Sequence, residues 1–255
     1  MTESLYKIYG PKDRYQYFKE VIKENKIYLS RLSQLNDPFD CVVTYDFENA
    51  SEADFARYCI ERNYHMSHSK KQLADEFPKY MREALDPKLG LYCMTSCISS
   101  PPMWAHYGAN HNGVAIEFDR GAFSSLSESQ GCLGDVQYED KFPSVADYLA
   151  LETDRQGSRT LAEMNLHLFR KCSHWKYEQE VRYVRLEPNG YTNETRKVEC
   201  PDRAIKGVYF GAAIELSVRS ELVELVRGAG HGLRMYVMEV GRSGYLMESQ
   251  EIYAA

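Results

Sequence analysis

The stretch MWAHYGANHNGVAIEFD, residues 103–119, decides how the rest of the chain is read. MWAHYG reads as a short helix on which Met103 and Tyr107, four apart, share a face. Gly113 permits a sharp turn into VAIEF, whose β-branched and aromatic content is that of a buried strand. Trp104, His106 and Tyr107 lie on the helix, and Asn110, His111 and Asn112 in its exit turn. His106 can bond a ligand or satisfy a buried carbonyl; both readings stand. Glu117 points opposite to Ile116 and Phe118, toward a cleft or a salt bridge. The stretch as a whole reads as one wall of a ligand cleft.

Upstream, LYKIYG (5–10) reads as a strand ended by Gly10 and Pro11. In DRYQYFKEVIKEN, Tyr15, Phe18, Val21 and Ile22 have the spacing of an amphipathic helix. IYLSRL (27–32) is a second strand signal, followed by the turn-rich SQLNDPFD, where Pro38 restricts Asp37 to extended geometry. Residues 51–86 change character: two helices joined by HMSHS, with Ser51 a cap before Asp54, form a helical lobe. LYCMTSC (91–97) is strand-like and SSPP a breaker.

Downstream, residues 121–160 read as a polar loop, a strand signal around DVQYED and a weak helix near VADYLA. TLAEMNLHLFRKCSH (160–174) predicts a helix and EVRYVRL (180–186) a half-buried strand. IKGVYFG and LRMYVMEV are further strands, separated by a helix over LSVRSELVELVRG. Six to eight strands and five or six helices follow, without a regular βαβ rhythm. The expected class is α+β, with a mixed or antiparallel central sheet and flanking helices. The whole of 1–255 is expected to be one domain that includes the lobe.

A net charge of -6 gives no general electrostatic footprint for nucleic acid, although a local basic patch can coexist with it. The odd count of 7 cysteines in a chain this large favours reduced thiols and a cytoplasmic setting. No apolar run is long enough to span a membrane. Cys93 and Cys97 lack a second close pair, and His65 and His68 lack neighbouring ligands, so no metal site is expected. P-loop, GxGxxG, HExxH and GxSxG motifs are all missing.

The strongest chemical signal is Glu178-Gln179-Glu180. If Val181 and Tyr183 enter the core, Glu178, Glu180 and Arg182 share the other face of the strand, and two carboxylates look into one cleft. They could stabilise an oxocarbenium-like sugar centre or hold a ribose hydroxyl. The plainer alternative is a solvated face on which Glu180 and Arg182 offset one another. Arg31 suits paired phosphate oxygens, or pairs with Asp37 or Asp40. Thr95 and Ser96 offer hydroxyls at a strand end.

LYKIY, IYLSRLSQLNDPFD, LYCMTSC, MWAHYGANHNGVAIEFD, WKYEQEVRYV and IKGVYFG occur in an order that resembles a widespread bacterial family of unknown function, over about residues 5–215. Leu35 stands where that family more often has phenylalanine. More loosely, a polar first strand, a hydroxyl-bearing middle strand and a late E-x-E strand resemble the ADP-ribosyltransferase superfamily. That resemblance implies NAD as substrate and transfer of ADP-ribose to a protein or nucleic-acid acceptor. It implies Glu180 as the catalytic glutamate and Glu178 as the orienting one, with His106 beside them. Lys7, Tyr6, Arg31, Asn36, Ser96, Trp104 and Tyr107 are implied as the NAD-binding set. The first strand lacks the superfamily's arginine or histidine, a contact that Lys7, His106 or Arg31 would have to supply. A toxin or phage-defence effector with an antitoxin or defence-system partner fits the same resemblance. A ligand-sensing module and a metal-dependent nucleic-acid enzyme using Glu178, Glu180 and Asp37 are the competing readings.

Overall fold

The computed structural model describes residues 3–11, 15–64, 68–152, 160–201, 203–230 and 232–253. It is an α+β protein built on a large mixed sheet flanked by helices. Eight strands run across it in the order β12 (Met247–Tyr253), β11 (Arg234–Val240), β10 (Ile205–Phe210), β4 (Val114–Asp119), β1 (Ser4–Tyr9), β3 (Leu89–Thr95), β8 (Glu180–Leu186) and β5 (Cys132–Asp135). Only β10 and β11 pair in parallel among these neighbours, and helix α8 (Leu216–Gly228) connects them.

The centre of the sheet is its weakest seam. β1 pairs with β4 continuously from Ser4–Asp119 to Tyr9–Val114, and β3 pairs with β8 from Leu89–Leu186 to Thr95–Glu180. Between β1 and β3 the register holds only at Tyr6 opposite Thr95. A backbone carbonyl freed by such a split needs another donor. Lys7 supplies it, its Nζ donating to the Cys93 carbonyl at 2.8 Å. The sheet therefore opens along one line, and its two halves form the sides of a cleft.

Alternation along β1 sends Leu5 and Tyr9 to one face and Tyr6 and Ile8 to the other. On the first face α1 (Gln16–Glu24) buries Phe18, Val21 and Ile22 against Tyr92, Phe118 and Val208. On the second, Ile8, Ala115 and Tyr209 pack on Met103 and Trp104 of α4 (Pro101–His106). Helices α2 (Glu52–Glu61) and α3 (Lys70–Leu85) form the expected lobe and share with α6 (Val145–Leu149) an aromatic cluster of Tyr45, Phe47, Tyr58, Phe77 and Tyr148. Ser51 caps α2 by accepting from the Asp54 amide.

The differences from expectation have local causes. SSPP does not break the chain: Pro101 and Pro102 occupy the first positions of α4, where their missing amides cost nothing. Residues 120–130, expected as loop, form α5 (Arg120–Gln130), because Asp119 caps the Ala122 amide while Phe123 reaches the core. The 160–174 helix stops early: α7 (Thr160–Leu168) gives way to β7 (Arg170–Lys171), which pairs with β6 (Gln137–Tyr138). The short β9 (Lys197–Glu199), paired with β2 (Lys26–Tyr28), and the edge strand β12 were not expected. His65 lies outside the described residues.

Candidate functional site

A cavity of about 240 Å³ lies where β1 and β3 part. Tyr6, Lys7 and Ile8 line it from β1, and Cys93, Met94 and Thr95 from β3. Asn36, Asp37 and Asp40 reach it from the loop after β2, and Met103 and Tyr107 from α4 and its end. Lys171, Trp175, Glu178 and Glu180 complete it.

Glu178 and Glu180 come together by a route the sequence pattern does not describe. Glu178 ends a 3-10 turn, Ser173–Glu178, and is not on the strand. Gln179 then takes a left-handed conformation, φ 43°, and β8 begins at Glu180. The bend, rather than strand alternation, brings both carboxyl groups to one ammonium. Lys171 Nζ lies 2.6 Å from Glu178 Oε2, 3.2 Å from Glu180 Oε2 and 3.2 Å from Asp40 Oδ2. Val181 and Tyr183 do enter the core.

Arg182 is fully buried, which overturns the solvated-face alternative. Its Nε donates to Glu180 Oε1 at 2.6 Å and its Nη2 to Glu180 Oε2 at 2.8 Å, a bidentate pair. Nη2 also meets Asp40 Oδ1 at 2.7 Å, and Nη1 donates to the Leu168 carbonyl at 2.7 Å. Three acidic side chains thus face two cations, and all five are almost wholly buried. Tyr107 donates a short hydrogen bond to Glu178 Oε1.

These contacts drive the two glutamates apart in acidity. Burial opposes ionisation of Glu180, but Arg182 and then Lys171 outweigh it and hold its carboxyl at about 2. Burial pushes Glu178 up, and Lys171 and Tyr107 offset that only in part. Burial works against the Lys171 ammonium too, yet Glu180, Asp40 and Glu178 together raise it. Two carboxyl groups with opposite displacements in one cleft are a recurrent arrangement for acid–base or charge-stabilising work.

The remaining site candidates divide. Tyr6, Lys7, Asn36, Tyr107, Glu178 and Glu180 line the cavity. Trp104 does not: it is fully buried in the core beneath α4, its indole N–H bonded to the Ile98 carbonyl at 2.7 Å, so no ligand can stack on it. His106 is exposed on the outer side of α4, where Nδ1 lies 2.8 Å from the Tyr177 hydroxyl, and it does not line this cavity. Arg31 pairs with Asn193 at 3.1 Å, while Asp40 is held by Arg182 and Lys171. Ser96 donates to the Gln179 carbonyl and so steadies the bend before β8. Thr95 lines the cavity, its hydroxyl shared with the Cys97 backbone. Glu117 does not line this cavity; Ser4 and Tyr209 donate to it at 2.6 and 2.9 Å.

Sequence reasoning missed Lys171, which sits in a two-residue strand with no periodicity to mark it. It also left Asp40 and Trp175 without a role in the cavity. Trp175 stacks near Lys171, whose ammonium is 5.0 Å from the ring centre. The ammonium occupies the point among Asp40, Glu178 and Glu180 that a cation would need. No group of three or more metal-binding side chains with suitable geometry occurs among the described residues.

Residues 103–183 match the model of a family described as a protein of unknown function, DUF2971. The matched span holds Tyr107, Lys171, Trp175, Glu178 and Glu180 and leaves out the walls contributed by β1 and the Asp37–Asp40 loop. No curated protein matches the chain. Among solved structures, it is similar to Thermus sp. 2.9 DarT in complex with ADP-ribosylated ssDNA, at 11% identity and a TM-score of 0.36 over 92% of this chain and 93% of that one. Thermus sp. 2.9 DarT in complex with NAD+ gives 9% identity and a TM-score of 0.37 over 92% and 94%. Among the described residues, no helix is long and apolar enough to cross a membrane.

Proposed function

We propose that this chain is an ADP-ribosyltransferase-like enzyme that breaks the bond between nicotinamide and ribose in NAD and passes ADP-ribose to a macromolecular acceptor, protein or nucleic acid. The observation that carries the reading is the carboxyl pair at the opening of the sheet, where Arg182 and Lys171 hold Glu180 ionised while burial displaces Glu178 upward from the usual carboxylate range. At about 240 Å³ the cavity is below the ~300–1,000 Å³ of sites that take a whole drug-sized ligand. It suits one end of a dinucleotide, a single aromatic ring and its sugar. Tyr6, Tyr107 and Trp175 provide aromatic surface for the ring.

The two glutamates divide the work differently from what the motif alone implies. Glu180 already accepts from Arg182 twice and from Lys171. Its part is a fixed negative charge that favours the cationic sugar centre as the glycosidic bond lengthens. Glu178 keeps acceptor capacity beyond Tyr107 and Lys171, since a carboxylate offers about four lone-pair positions. Glu178 therefore takes the ribose hydroxyl. Lys171 and Tyr107 are positioning residues. Such chemistry suits a toxin or phage-defence effector, and a role of that kind goes with the reading.

The test is release of nicotinamide and labelling of lysate by the pure protein with radiolabelled NAD. Glu178→Gln is expected to lower release by about 10²–10³-fold, the cost of removing one aimed polar group, with the folded fraction checked by circular dichroism. No release by the unaltered protein would overturn the reading. The crowding of Glu180 favours a second reading, a ligand-sensing module without catalysis. NAD binding at unchanged strength in Glu178→Gln, with no turnover in either protein, would establish that one instead.

A further inference from the structure

A second cavity, about 270 Å³, backs onto the first across Lys171, which lines both. Its walls are mainly apolar: Phe39, Val42, Phe142 and Pro143. Phe39 is 67% exposed and Phe142 44%, a cost in water that no packing within the chain explains. At its inner wall stands His167, only 3% exposed, and neither of its ring nitrogens has a hydrogen-bond partner. Buried polar groups are almost always satisfied, so an unpartnered histidine beside a cavity is an invitation to a ligand. Also on the wall is Cys172, a half-buried thiol whose Sγ lies 3.2 Å from His174 Nδ1 and 3.8 Å from Asp140 Oδ1. Asp140 is itself fixed by the Ser173 amide at 3.1 Å.

We propose that Cys172 is a nucleophilic thiol that forms a mixed disulfide with a small disulfide compound seated in this second cavity. A thiol needs a nearby base to become the attacking thiolate, and His174 Nδ1 is within reach of its proton. In the step, the Cys172 proton passes to His174 and the thiolate attacks one sulfur of the ligand. The new Cys172–sulfur bond forms as the ligand's own S–S bond breaks, and the departing thiolate takes the proton from His174. One disulfide is exchanged for another, with no outside oxidant. Lys141 on the same wall suits a carboxylate of a peptide disulfide such as oxidised glutathione, while Arg170 beside it is held by Glu139 at 3.1 Å. The inference is independent of NAD chemistry in the first cavity.

The experiment is incubation of the full chain with oxidised glutathione, with adducts located by peptide mass spectrometry and reversed by dithiothreitol. Cys93, Cys97 and Cys132 are also only partly buried and serve as internal controls. Cys172 is expected to react first, and His174→Ala, a change at an exposed position, to slow it about tenfold, a modest share of what a positioned base contributes. Reaction of another thiol at the same rate, or an unchanged rate in His174→Ala, would overturn the proposal. Cys172→Ser, close in size, should remove the adduct and leave the control thiols as they were.

Discussion

Lys171 is the residue on which the cavity's acidic wall depends. It is 8% exposed and touches Asp40, Glu178 and Glu180, so its removal takes away the cation paired with Glu178 and leaves Asp40 and Glu180 to Arg182 alone. Breaking a buried pair from one side typically costs ~3–5 kcal/mol, because the surviving charge stays buried. Lys171→Met is expected to lower unfolding free energy by about that amount in denaturant titration, and a loss below about 1 kcal/mol would mean that water reaches the cluster. At the same scale, the sequence showed Glu178 and Glu180 as a pair but not their partners. Lys171 lies 7 and 9 positions away from them, and Asp40 142 from Arg182, separations that no local pattern records.

At the scale of elements, the turn between α4 and β4 shows how a short motif is held. Ala109, Asn110 and His111 have φ of 47°, 55° and 66°, three left-handed residues without a glycine among them. Such conformations are costly and persist only when surrounding contacts fix them. Here the Asn110 and His111 amides donate to Ala105 and Trp104, and His111 in turn accepts from Ala213. Gly113 closes the turn at such close quarters that an added Cβ would lie 2.6 Å from Gly108 Cα and 2.6 Å from the Tyr9 carbonyl. Both are backbone atoms and cannot swing aside. Gly113→Ala is expected to cost at least the ~1–3 kcal/mol of ordinary overpacking and to move Tyr107 off Glu178, read as a lower melting temperature together with weaker ligand binding. Ser51→Ala, at the start of the lobe, should cost only ~1 kcal/mol by the same melting measurement and leave the cavity unaffected. The glycine and the cap were both visible in the sequence; α5 was not, because its serines disguise a helix that Asp119 starts and Phe123 anchors.

Across the whole molecule, stability should fall with acid in two stages. Burial, then Arg170 and Arg62, depress His167 from 6.5 to about 4. The unfolded chain therefore binds a proton that the folded one refuses between those values, so stability rises with pH across that window and is lost as pH falls through it. The shift corresponds to on the order of 3 kcal/mol. Glu180, held at about 2 against 4.5, adds a second loss as pH drops below 4.5, while Glu178, displaced upward, works in the opposite sense. Urea midpoints measured in steps from pH 7 to pH 3 should show the first decline, and His167→Phe should flatten it. A decline of the same size in His167→Phe would assign it to other groups.

Side-chain periodicity, capping and turn chemistry were enough to read most helices, the central strands and the E-x-E signal, because each depends on residues within a turn or a strand length of one another. The parting of β1 from β3, the left-handed bend at Gln179, the burial of Arg182 and the meeting of Lys171 with Asp40 belong to the tertiary structure alone. Ion pairs and clefts are made between segments far apart in the chain, and their partners are chosen by distance in space, which no local pattern encodes.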